Sequence, residues 1–103
     1  MPEAINVRPA RWTDIKILWD DGDYSAIWGK FDGEERLGVR WNGYDDNIGY
    51  PSQGGNALWY AEPDLLTTPI LRELLIKSVQ NGCPEEYINN INTALKAVRA
   101  PHL

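Results

Sequence analysis

Two Asp-Gly pairs, Asp21-Gly22 and Asp32-Gly33, interrupt a run of alternating apolar residues, and they constrain the fold more than anything else in the chain. Asp-Gly is a preferred centre for a two-residue hairpin turn, because both central positions need positive φ. Bending the chain at both pairs sets Trp19 opposite Tyr24, Ile17 opposite Ala26 and Ile15 opposite Trp28. The second bend sets Trp28 opposite Leu37, Ala26 opposite Val39 and Tyr24 opposite Trp41. One face of a three-stranded meander then carries only apolar and aromatic side chains, Trp19, Trp28 and Trp41 among them. A slip of one residue would turn that set to solvent, so the register is expected to be firmly specified. The other face, with Lys16, Leu18, Ile27, Gly29, Arg36, Gly38 and Arg40, reads as mixed and lightly covered. Gly29 and Gly38 leave it open beside the two arginines, either as a small polar-ligand patch or as a surface for the N-terminal segment.

Helical spacing begins after about residue 63. Thr68 suits an N-cap, with Pro69 at the first helical position. Ile70, Leu71, Leu74, Leu75 and Val79 recur on one face, and Gly82 suits the left-handed residue that ends a helix. Pro84 opens a second helix with Glu85 and Glu86 at its positive end, and Tyr87, Ile88, Ile91, Leu95 and Val98 form its stripe until Pro101 stops it. The predicted fold is α+β: an antiparallel meander of three to five strands over about residues 4–61, packed on one face by two C-terminal helices at about 68–81 and 84–99. Ile5 and Val7 are expected to add an edge strand, residues 57–61 a further strand, and residues 42–56 a long loop. With 103 residues the chain has the length of one domain, spanning 1–103.

Composition excludes more than it identifies. One cysteine, Cys83, cannot form an internal disulfide, and with one histidine, His102, the common zinc sites are out of reach. Cys83 falls where a helix cap would be and reads as a small buried residue rather than a reactive thiol. No phosphate-binding glycine motif, metalloprotease motif or calcium loop is present. The chain is expected not to be an enzyme and to use no cofactor and no metal. No signal peptide is visible, and the longest apolar run, Ala57 to Ala61, is far short of the ~20 residues that span a bilayer. A cytoplasmic protein that avoids membranes is the expectation.

Charge is the one uneven feature. The formal net charge is −5. Residues 20–46 hold eight carboxylates against three bases, so the whole surplus lies there, and elsewhere seven acids balance seven bases. In a meander the first turn and the exit of the third strand share one end of the sheet. Asp20, Asp21, Asp23, Asp45 and Asp46 should therefore form one acidic rim, with Tyr44 and Tyr50 as aromatic contacts. The bland account of these acids is solvated turn chemistry. The functional account is a surface that steers a basic partner by its charge. Small size, acidity and lack of catalytic groups suit an inhibitor that occludes a basic protein, as immunity proteins block nuclease toxins and as phage-encoded inhibitors act. That comparison rests on size and charge alone. The alternative is a single-stranded nucleic-acid binder that stacks bases on sheet aromatics beside Arg8, Arg11, Lys16, Arg36 and Arg40, although net acidity makes nucleic acid an unfavourable partner. Trp59 on an edge strand would mark a homodimer by strand pairing.

Overall fold

The computed structural model describes residues 2–99. Strands β1 (Trp12–Asp20), β2 (Tyr24–Phe31) and β3 (Glu34–Trp41) form the meander, followed by β4 (Ser52–Gln53), β5 (Asn56–Ala57), β6 (Tyr60–Ala61) and helices α1 (Asp64–Asn81) and α2 (Glu85–Arg99). The main sheet is antiparallel in the order β1-β2-β3-β6, and β4 and β5 make a separate small hairpin. The fold is α+β with the helical pair on one face of the meander. The expected stop at Pro101 and the terminal His102 lie outside the described residues.

The second hairpin forms as its sequence dictates. Phe31 pairs with Glu34, so Asp32 and Gly33 alone make the turn, and both have positive φ. Trp28 opposes Leu37, Ala26 opposes Val39 and Tyr24 opposes Trp41, the expected register.

The first hairpin differs. Asp20 pairs with Ser25, so the turn is longer than two residues, and Trp19 opposes Ala26 instead of Tyr24. The cause is local. Oδ1 of Asp21 accepts the backbone N–H groups of Asp23 and Tyr24, at 2.9 and 2.8 Å, and this side-chain turn displaces the tight backbone one. Two irregularities then occur in β1, between Ile17 and Trp19 and between Thr13 and Lys16, the second next to Asp14 at a φ of 52°. As a result Leu18 joins the helix-facing core while Ile15 and Ile17 turn to the other face, the reverse of the expected placement. The Ile17 carbonyl at the first irregularity accepts Nδ2–H of Asn90 from α2.

The sheet therefore has two cores. On the helix side Leu18, Ala26, Trp28, Leu37 and Val39 pack against Leu71, Ile91, Ala94 and Leu95. On the other side Trp12, Ile27 and Trp59 are buried with Ala4 and Val7. That second face is closed. A Cβ on Gly38 would lie 2.9 Å from the Trp12 ring, so Gly38 is small to admit an indole, not to leave room for a ligand. Ala4–Asn6 forms a 3-10 turn where an edge strand was expected, and residues 57–61 divide between β5 and β6. Trp59 is buried, with Nε1–H donating to the Val7 carbonyl at 2.9 Å, so its indole belongs to this core.

Helix α1 starts four residues before the expected cap. Thr67 Oγ1 donates to the Pro63 carbonyl, and Pro69 lies inside the helix. Proline there removes a hydrogen bond to the carbonyl of Leu65, an exposed residue whose carbonyl water can satisfy. Gly82 ends the helix in the left-handed conformation, and Cys83, half-buried, donates its N–H to the Ser78 carbonyl, which closes the turn. Val79, expected on the apolar stripe, is exposed, and Ser78 is buried in its stead. Among the described residues, none is a hydrogen-bond partner of the Ser78 hydroxyl. Ser78→Ala should therefore raise stability by about 1 kcal/mol, by removing a desolvated hydroxyl and improving helix propensity. Urea unfolding checks this, and a destabilised variant would contradict it.

Candidate functional site

The site is built where the first turn meets the exit of β3. Asn42 is buried and joins the two segments. Its backbone N–H donates to the Asp23 carbonyl at 2.8 Å, its Nδ2–H to Asp20 at 3.1 Å, and its Oδ1 accepts the Ser25 hydroxyl at 2.8 Å. The first turn and residue 42 are therefore adjacent, the topological condition for a shared rim.

Residues 42–58 depend on an unusual cation. Arg40 is 1% exposed, and among the described residues no carboxylate pairs with it. Its guanidinium donates instead to three carbonyls of the loop: Ile48, Pro51 at 3.2 Å and Leu58 at 2.7 Å. Burial pushes its pKa down from the ordinary arginine value, though a guanidinium remains charged at neutral pH. Arg40 was read from sequence as a polar-patch or nucleic-acid residue. It is the post on which the loop hangs. Two glycines let the loop approach it. Gly43 and Gly49 have φ of 85° and 81°, and a Cβ on Gly49 would strike the Trp41 carbonyl oxygen.

This loop carries the aromatic residues outward. Trp41 and Tyr50 exchange both backbone hydrogen bonds, at 2.8 and 3.0 Å, which places their side chains on the same side of the ribbon. The Tyr50–Pro51 peptide is cis. Trp41 is 58% exposed, Tyr44 70% and Tyr50 67%. Trp41 was expected in the core; its register position is as expected, but it lies at the end of the sheet, where it packs edge-on against Tyr24 (centroids 4.7 Å apart) rather than under the helices. Trp41, Tyr44 and Tyr50 line one open groove of about 510 Å³ with Asp23 and Asn47. Among the described residues, no lysine or arginine lines it.

The acids expected on the rim fall into distinct environments. Asp20 is half-buried, and both its oxygens accept hydrogen bonds within the chain, from Ala4 and Gly22 N–H as well as Asn42. Its carboxylate secures the N-terminus to the turn. Partial burial pushes the Asp21 carboxyl up, but the N–H groups of Tyr24 and Asp23 more than reverse this and hold it below the usual carboxylate range. Asp23 lines the groove. Asp45, at a φ of 52°, and Asp46 are exposed beside Tyr44 in the chain.

The five basic residues considered for nucleic acid occupy different settings. Arg40 is buried, Arg11 pairs with Asp32, and Arg36 pairs with Glu34 and Asp64. Arg8 donates to the Ile5 carbonyl, and Lys16 is exposed on β1. Among the described residues, no group of three His, Cys, Asp or Glu side chains is placed to hold a metal ion, and no helix is long and apolar enough to cross a membrane. Sequence reasoning offered the N-terminal segment as one of two covers for the second face, which Ala4, Val7 and Trp12 supply, but it missed the buried role of Arg40. The glycines opposite Trp12 were the available signal for that cover, and nothing in the local pattern signalled the role of Arg40. The chain matches no known family model, no curated protein and no solved structure.

Proposed function

We propose that this chain is a small acidic protein-binding module that occludes a basic partner protein, in the manner of an immunity protein or a phage inhibitor, and that it docks through the end of the sheet carrying Trp41, Tyr44 and Tyr50. The observation that supports this is the exposure of three large aromatic side chains along one groove that includes Asp23 and no base. Large aromatics are enriched among residues that anchor protein interfaces, where they contribute contact area at low entropic cost. Exposing three together in a chain with two closed cores leaves apolar surface uncovered, which is characteristic of binding sites. The surplus of acids within residues 20–46 supplies long-range attraction to a positive partner and acts mainly on the association rate.

The test is a paired capture. Wild-type protein and a Tyr44→Ala/Tyr50→Ala variant, both folded by circular dichroism, are used as baits in extract from the native cell. The expected result is a basic protein retained by the wild type and lost from the variant. Its association rate should fall about tenfold on charge reversal at Asp23 and Asp46, and should fall with added salt for the wild type. Retention of the same protein by both baits, or salt-independent association, contradicts the reading. Asp45 is left unchanged in this test because lysine there would be strained by the positive φ.

A further inference from the structure

We infer that the groove receives an arginine side chain of the partner, its guanidinium lying against the Trp41, Tyr44 and Tyr50 rings and pairing with the Asp23 carboxylate; this rests on the docking reading above. Three observations lead to it. The groove wall combines electron-rich rings with one carboxylate and one amide and has no cation of its own, so the complementary charge is positive. The wall is already ordered before any partner arrives. Trp41 and Tyr50 are tied by two backbone hydrogen bonds, Trp41 is packed on Tyr24, and Asp23 is tied to Asn42. Ordering of this kind removes much of the entropic cost of forming an aromatic cage on binding. The groove is also open rather than a closed pit, and Trp41, Tyr44 and Tyr50 on its wall each stay more than half exposed.

That last point decides between the two cationic side chains. An ammonium is strongly hydrated and gains from rings chiefly when a cage strips its water. A guanidinium is planar and weakly hydrated, stacks on a ring at an open surface, and presents parallel N–H groups to a carboxylate. The chain shows this preference once within its own fold, where the Arg11 guanidinium lies 4.4 Å from the Phe31 ring centroid while pairing with Asp32. The groove offers the same combination, rings beside a carboxylate, with no internal arginine in it.

The experiment is an NMR titration of the full chain with a blocked Gly-Arg-Gly tripeptide and with versions carrying lysine or the neutral isostere citrulline. The arginine peptide should shift the Trp41 indole and the Tyr44 and Tyr50 ring signals saturably. Lysine should bind at least about threefold more weakly, and citrulline should leave these signals unmoved. Asp23→Asn should weaken the arginine peptide about five- to tenfold without loss of fold, because the contact between Asp23 and Asn42 uses the backbone carbonyl. Equal shifts by citrulline or lysine, or arginine-induced shifts that bypass Trp41, overturn the proposal. Titration with the basic protein recovered by capture separates the two claims. If that protein shifts Trp41 while the arginine peptide does not, the guanidinium site is wrong and the docking face stands. If the protein leaves Trp41 unmoved, the docking face itself is wrong.

Discussion

Replacing Arg40 with methionine should cost about 3–5 kcal/mol and release residues 42–58 from the sheet. The expected loss is large because the cation is buried and ties down three half-buried residues of the loop at once. Removing it takes the guanidinium donor from the carbonyls of Ile48 and Leu58, while the Pro51 carbonyl keeps the Leu58 N–H at 3.0 Å, and each desolvated polar group left without a partner costs about 1–3 kcal/mol. Some of that is returned by discarding a desolvated charge, since methionine fills similar volume without one. Arg40→Lys should lose less than methionine but still destabilise, because a compact ammonium cannot span the carbonyls that the guanidinium fork reaches. Chemical denaturation measures both. The loop should report the same change: hydrogen exchange at residues 42–58 should accelerate in the methionine variant, while exchange in the helices rises only as far as global stability falls. A variant as stable as the wild type would show that the loop is held by its small hairpin alone.

The second large effect belongs to Trp59. Trp59→Ala should cost about 3–5 kcal/mol, the range for removing a buried large aromatic. It opens a cavity in the core shared with Trp12, Ile27, Ala4 and Val7, and deprives the Val7 carbonyl of its indole donor. For a domain of this size each kcal/mol shifts the melting temperature by roughly 4–8 °C, so the loss is plain in a thermal melt. Trp41→Ala should cost less than about 1 kcal/mol, since that indole is more than half exposed. Equal losses at the two positions would mean that the second face is not a core, or that Trp41 is buried in solution.

How far these features were legible in the sequence depends on how local their causes are. The Asp32-Gly33 hairpin and its register could be read directly, because a two-residue turn with both φ values positive leaves one pairing. The pairing of the helices and the Gly82 terminus could be read for the same reason. The first hairpin could not, although it has the same dipeptide. There the Asp21 side chain competes for the amides of Asp23 and Tyr24, and dipeptide identity does not reveal that competition. One displaced pairing and two irregularities then reversed the faces of Leu18, Ile15 and Ile17. The β1 alternation Ile15, Ile17, Trp19 looks unambiguous by itself, but a bulge resets the period without leaving a mark in hydrophobicity.

The candidate site was partly legible. Topology placed the first turn next to the exit of β3, and Asn42 does bridge them. Tyr44 and Tyr50 were named from sequence, and both line the groove. Trp41 was assigned to the core because its parity matches Val39 and Leu37, yet parity fixes only the face. Distance from the helices decides burial, and at the end of β3 the helices no longer cover the sheet. Arg40 shows the converse: a charged residue beside a glycine-rich loop resembles a surface group until the long-range carbonyls of Pro51 and Leu58 are in place.

The docking face requires Trp41 to be the open indole of the five, and acrylamide quenching of tryptophan fluorescence tests this without knowledge of the partner. Trp12, Trp28 and Trp59 are buried and Trp19 is half-buried, so Trp41→Phe should remove most of the quenchable emission and leave a blue-shifted, protected remainder. If quenching is unchanged in that variant, Trp41 is covered in solution, and the groove on which the docking face was built does not exist.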